Sequence, residues 1–218
     1  MVGIGSTIMH NDVAWLAHII VHSEYRNKGI GRFITQSLIG RIDNASCKTI
    51  YLIATELGAP VYEKLGFETE TEYVFYKDIQ INKHTVTSSR IIPYDPAYKK
   101  HIQALDTVVS GEYRMFHLEP YLTDAFLYVK DNMLEGYYLP GFGDGFIIAL
   151  TAEAGTALMT LRFAEKEHAV FPVDNRSANE FMQQHQYQPF KTARRMRLGM
   201  YRKVDFLKIY NRISGSMG

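Results

Sequence analysis

The sequence predicts an α/β fold: a mixed, twisted sheet first, then a second α/β module. Three observations carry this. Apolar runs of strand length alternate with amphipathic stretches of helical period. Thr49–Ala54 (TIYLIA) is continuously apolar, as in a strand covered on both faces. Arg26-Asn27-Lys28-Gly29-Ile30-Gly31 stands between an apolar run and a helical stripe, which makes it a strand-to-helix turn.

Val2–Met9 (VGIGSTIM) reads as the first strand, His10-Asn11-Asp12 as a turn and Val13–Val21 as the second strand. Helix follows from Gly31 to Ile42, since Ile30, Ile34, Leu38 and Ile42 recur every four residues. After the strand Thr49–Ala54 comes a short helix, Ala59–Leu65, opened by Pro60 and stopped by Gly66. Glu70–Ile79 is strand-like again. Gln80–Ser89 (QINKHTVTSS) is polar and without period, and reads as a linker.

Beyond it, Pro96–Val109 is helical, with Ile102, Leu105 and Val109 on one face. Tyr121–Met133 reads as another helix. Gly136–Leu150 reads as two strands around the glycine-rich turn 140–145; no helix opens directly after Gly141, Gly143 and Gly145, so a hairpin is expected there, not a phosphate loop. Helix is expected at Ala152–Phe163 and Ser177–His185, with a strand at Ala169–Val173 between them. Tyr201–Ile213 is amphipathic through Val204, Leu207 and Ile213.

Composition narrows the function. A net charge of +1, from 24 basic and 23 acidic side chains, creates no global field toward nucleic acid or a membrane. Lys191, Arg194, Arg195 and Arg197 cluster, but alternation puts Arg194 opposite Arg195 and Arg197, so a solvated edge is expected. The single cysteine, Cys47, excludes an internal disulfide and reads as a buried, inert thiol. There is no apolar run near the roughly 18 residues of a membrane span, and no signal peptide, so the expected location is the cytoplasm. His18 and His22 lie on a strand and a turn, which makes no metal face, and no metal is expected.

The chemistry concentrates at Arg26–Gly31. A turn of this kind aims backbone N–H groups and the positive end of a helix dipole at one point, with Arg26, Lys28 and Arg32 adding charge. That is a pyrophosphate cradle. A second motif lies one strand further on: Tyr62-Glu63-Lys64-Leu65-Gly66-Phe67 ends a short helix at glycine, with an aromatic after it.

In order, with a strand between them, these two motifs resemble the GNAT superfamily of acyl-CoA-dependent N-acetyltransferases over roughly the first 80 residues. The resemblance implies a GNAT-type sheet whose parallel strands, Trp15–Val21 and Thr49–Ala54, splay apart to admit coenzyme A. It further implies that Ile19, Ile20 and Val21 contact pantetheine and the acetyl carbonyl. Arg26, Asn27, Lys28, Gly29, Ile30, Gly31 and Arg32 would hold the pyrophosphate, and Tyr62 would protonate the departing thiolate. The co-substrate is then acetyl-CoA, and the acceptor a small-molecule or peptide amine that attacks directly. No nucleic acid or membrane is expected as a partner, and a homodimer is compatible.

Three departures accompany the resemblance. The family's opening strand, two helices and strand have no counterpart before Val2, so a domain truncated at its start is expected. Glu56 replaces a cofactor-binding asparagine, and Trp15 stands where the family has an acidic base. Val173–Ala178 followed by Phe181 resembles a degenerate repeat of the segment before Tyr62, as in the YitH-like branch with its GNAT-like C-terminal module. The expected domains are 1–80 (acetyl-CoA-binding), 81–90 (linker) and 91–218 (GNAT-like). The reading is an N-acetyltransferase; a non-catalytic acyl-CoA-binding or interaction protein on the same scaffold is the alternative.

Overall fold

The computed structural model describes residues 1–42, 46–81 and 88–218. They form two compact units, each assembled from separate stretches of chain. The first comprises Met1–Glu72, Ala193–Tyr201 and Ser214–Gly218; the second comprises Tyr73–Thr192 and Arg202–Ile213. The sequence places the boundaries at 80 and 91, and most of that linker, residues 82–87, lies outside the described residues. The unit boundary at 72/73 and the return of two late segments to the first unit differ from that expectation. Their physical origin is a strand from late in the chain that hydrogen-bonds into the first unit's sheet.

In the first unit, β1 (Gly3–His10) and β2 (Val13–Val21) form an antiparallel hairpin. Its turn places Asn11 at φ +48°, a conformation asparagine tolerates. β2 then pairs in parallel with β3 (Thr49–Ala54), through a crossover that contains α1 (Ile30–Ile39). Short helix α2 (Ala59–Glu63) leads to β4 (Glu68–Tyr76). β10 (Lys191–Gly199) lies between β3 and β4, antiparallel to β3, with Arg194 opposite Ala54 and Gly199 opposite Thr49.

α1 covers one face of this sheet. Ala14, Leu16, Ile50, Leu52 and Met196 are buried there with Leu38 and Ile39 against them. The fit is close: a β-carbon at Gly5 would stand 2.7 Å from Ile34 and 2.9 Å from Leu38. Cys47 is buried, as expected, and its thiol donates to the Thr49 carbonyl at 3.4 Å.

In the second unit, an antiparallel five-stranded sheet has the order β11-β8-β7-β6-β5. Its strands are β5 (Ile91–Pro93), β6 (Phe126–Lys130), β7 (Met133–Leu139), β8 (Phe146–Ala149) and β11 (Ile209–Asn211). The end of β4 pairs separately with β9 (Ala169–Pro172). The helices are α3 (Lys99–Ser110), α4 (Met115–Leu118), α5 (Ala152–Phe163) and α6 (Arg176–Gln184). Thr151 and Asn175 cap α5 and α6 by accepting from the N–H groups of Ala154 and Ala178. The turn 140–145 joins β7 to β8 as a hairpin, with Gly143 and Gly145 at positive φ.

The expectation of helix at Tyr121–Met133 is overturned. Phe126–Lys130 is a strand, and Asp131 and Asn132 both take positive φ (+49° and +61°). Two consecutive left-handed residues make a tight hairpin turn, and Asp-Asn is a pair that tolerates it. The apolar spacing resembled a helix because Leu122, Phe126 and Val129 coincide with a helical stripe.

Within this unit, α3 is tied to β7 by a buried ionic cluster. Arg114 donates to Asp106 from both Nε (3.0 Å) and Nη2 (3.1 Å), and Tyr137 donates to Asp106 at 2.8 Å. Arg114 and Asp106 are each only 2% exposed. Burial pulls the guanidinium down, but the Asp106 and Glu112 carboxylates outweigh it and hold it above its ordinary value.

Candidate functional site

Arg26–Arg32 forms the turn between β2 and α1. A single 3-10 turn, Ser23–Tyr25, ends where Arg26 becomes extended. Asn27 (φ +61°) and Gly29 (φ +79°) then reverse the chain, and Gly29 becomes the residue preceding α1. Nothing lies within 4 Å of where a Gly29 β-carbon would be, so the turn is open at that position. The first intrahelical bond runs from Phe33 N–H to the Gly29 carbonyl at 3.0 Å. The N–H groups of Ile30, Gly31 and Arg32 therefore have no partner from their own helix.

Arg26 donates from Nε to the Val21 carbonyl at 3.1 Å, and Lys28 stands 5.2 Å from the Tyr25 ring. Arg26, Asn27, Lys28, Gly29 and Arg32 are exposed, and Ile30 and Gly31 partly so. The turn thus joins unpaired helix N–H groups, the positive end of the α1 dipole and three exposed cations in one solvent-open stretch.

β2 and β3 part company upstream of this cradle, before β2 ends. Their parallel ladder runs from Val13↔Thr49 to Trp15↔Tyr51, and among the described residues it goes no further. The second half of β2 is bent by a bulge: Ile4 pairs with Ile20 but Ser6 with Ala17, and the extra residue includes His18 at φ +52°. Nδ1 of His18 is 3.0 Å from Ser6 Oγ.

Past the bulge, His22 donates its N–H to the Val2 carbonyl. Alternation then directs the Ile20 backbone toward β1, and the Ile19 and Val21 backbones toward the β3 side. The three residues are therefore unequal. Ile19 packs its side chain on the α1 core, and Ile20 is 53% exposed. Val21 already gives its carbonyl to Arg26.

Tyr62 lies on α2, one short loop beyond the end of β3. Its ring packs on the α1-side core and meets Phe67 edge-to-face at 6.0 Å. Burial pushes its phenol above the ordinary 10. The Tyr62 hydroxyl therefore stays protonated at neutral pH.

The opposite face of the sheet holds a group that sequence reasoning missed. The Trp15 and Tyr51 rings lie 5.0 Å apart, tilted by 37°, and the Arg195 guanidinium lies 4.8 Å from Trp15 and 4.2 Å from Tyr51. Arg195 is 1% exposed and donates to Glu70 at 3.0 Å. The expected solvated basic edge is thus corrected. Arg194 pairs with Glu63 and Glu72, and Arg197 with Glu68 and Glu70. The available signal was the alternating Glu68-Thr69-Glu70-Thr71-Glu72, which supplies an acid for each arginine one strand away.

Residues 1–69 match the model of the acetyltransferase (GNAT) domain. No curated protein matches the chain. Among solved structures, a Pyrococcus horikoshii protein assigned as an acetyltransferase superposes with a TM-score of 0.84 at 23% identity. That match covers 100% of this chain and 76% of the other. A GCN5-related N-acetyltransferase of Sphaerobacter thermophilus gives 0.60 at 11% identity, covering 93% and 78%. A tandem GNAT protein of the clavulanic acid biosynthesis pathway gives 0.54 at 11%, covering 91% and 79%. At these identities the likeness is one of fold: mixed α/β, with twisted mixed sheets like those of GNAT proteins. Among the described residues no helix is long and apolar enough to cross a membrane.

Proposed function

We propose that this protein is an acetyl-CoA-dependent N-acetyltransferase acting on a primary amine by direct attack. The observation that carries it is the open turn at Gly29, reached from a stretch of β2 that no longer pairs with β3. The residues present fit coenzyme A. The N–H groups of Ile30, Gly31 and Arg32 suit a pyrophosphate, with Arg26, Lys28 and Arg32 supplying counter-charge. The backbone edges of Ile19 and Val21 suit the amides of a pantetheine arm. When bound, acetyl-CoA supplies an activated acetyl thioester.

The chain's own residues then position and move a proton. Tyr62 gives its hydroxyl proton to the sulfur as the C–S bond breaks, and regains one from water. The acceptor nitrogen, forming its bond to the acetyl carbon, releases a proton to water. Arg26, fixed by its bond to Val21, couples the cradle to the strand edge, so diphosphate and thioester share one frame. The GNAT domain match at 1–69 supports the reading, since it contains both motifs.

Thiol release measured against a panel of primary amines tests it. Amine-dependent turnover with acetyl-CoA is expected. Binding of acetyl-CoA without any amine-dependent thiol release would favour a non-catalytic acyl-CoA-binding protein instead.

A further inference from the structure

The two faces of the sheet are not equivalent where β2 and β3 part. One carries α1, the cradle and Tyr62. The other face bears Trp15, Tyr51 and Arg195, and with a thioester held from the α1 side it is the face left for an amine. This face has an occupant from the chain itself. Residues 214–218 return to the first unit as a tight turn, in which Ser214 donates its N–H to the Met217 carbonyl at 2.9 Å. Ser216 donates its N–H to Ser214 Oγ at 3.1 Å, closing the turn from the other side.

The turn delivers Met217, 4% exposed, and buried Gly218. A β-carbon at Gly218 would stand 2.5 Å from Trp15 Cη2 and 3.0 Å from Arg195 Nη1. Trp15 cannot give way, because Tyr51 and Arg195 clasp its ring. The place against Trp15 is therefore shaped for peptide backbone and closed to a side chain.

We propose that Trp15, Tyr51 and Arg195 form the acceptor-binding face, selective for peptide-like amines that are unbranched where they meet Trp15, and that residues 214–218 are its built-in occupant. This rests on the acetyltransferase reading. The segment holds the acceptor face closed, and its withdrawal admits the amine.

Trp15 is the chain's only tryptophan, so its emission reports on this face alone. The full chain is compared with a truncation after Ile213 and with Gly218→Val, which keeps the length but forces the segment off the ring. Acrylamide quenching of Trp15 is expected to rise at least twofold in both variants. A synthetic peptide Ser-Gly-Ser-Met-Gly should reverse the change in the truncation, and the same peptide ending in Val should not. Amine-dependent thiol release should rise at least tenfold in both variants, with glycinamide preferred over valinamide.

Quenching unchanged in Gly218→Val would overturn the proposal, as would an exposed Trp15 without faster turnover. Should the truncation lose its folded circular-dichroism signal, Gly218→Val decides alone. Calorimetry with acetyl-CoA on the same proteins separates the two readings. Loss of cofactor binding in every form, wild type included, indicts the acetyltransferase assignment. Equal cofactor binding with unmoved Trp15 and turnover indicts only the built-in occupant.

Discussion

Trp15 and Tyr51 form the last rung of the parallel β2–β3 ladder, and their tilted rings meet at 5.0 Å. The separation of the two strands thus begins at an aromatic clasp. Arg195, delivered by a strand 140 residues later in the chain, lies across both rings. Aromatic pairs and cation–π contacts each contribute on the order of 1 kcal/mol, so the clasp holds the last paired rung together.

Tyr62→Phe is expected to lower turnover about 10²- to 10⁴-fold while leaving acetyl-CoA affinity nearly unchanged. The ring and its contact with Phe67 persist; only the donor goes. The pH profile gives a second reading. Burial raises the phenol, so the donor is lost only as pH rises above about 10, and the wild type should fall there. The Phe variant should lack that limb. Wild-type turnover in the variant would return Tyr62 to a packing role.

The first unit is not separable from the rest of the chain. A fragment of residues 1–89 lacks β10, the strand between β3 and β4, and leaves both with open edges. It also leaves Glu68, Glu70 and Glu72 without Arg194, Arg195 and Arg197. Such a fragment should be insoluble or show no cooperative thermal transition. A cooperatively melting fragment that binds acetyl-CoA would contradict this.

Asp106→Ala should destabilise the second unit by about 3–5 kcal/mol, because it strands the buried Arg114 guanidinium and removes the acceptor for Tyr137. Urea unfolding followed by circular dichroism measures this. A loss below about 1 kcal/mol would mean that Glu112, 3.9 Å from Arg114, carries the compensation instead.

Much of this was legible in the sequence, for reasons that differ by element. β2 and β3 match their expected spans because their apolar runs are unbroken and bounded by turn residues. The cradle was legible because a glycine turn between strand and helix needs only local chemistry. Tyr121–Met133 departs from its expected helix because helical and strand periods coincide over a few residues, and the Asp131-Asn132 turn is the signal that separates them. Arg195 was misread for another reason. Whether an arginine is solvated or buried depends on which strand lies beside it, and β10 joins β3 across more than a hundred residues. The splay itself follows from where a ladder stops, which no local pattern encodes.

The most direct test of the account is calorimetric titration of acetyl-CoA into the full chain and into Gly29→Asp. The substitution places a side chain and a negative charge in the open space of the cradle, at a φ of +79°. One site per chain in the wild type, and affinity weakened at least tenfold in the variant, is the predicted result. Unchanged affinity in Gly29→Asp, or two equivalent sites per chain, would contradict it.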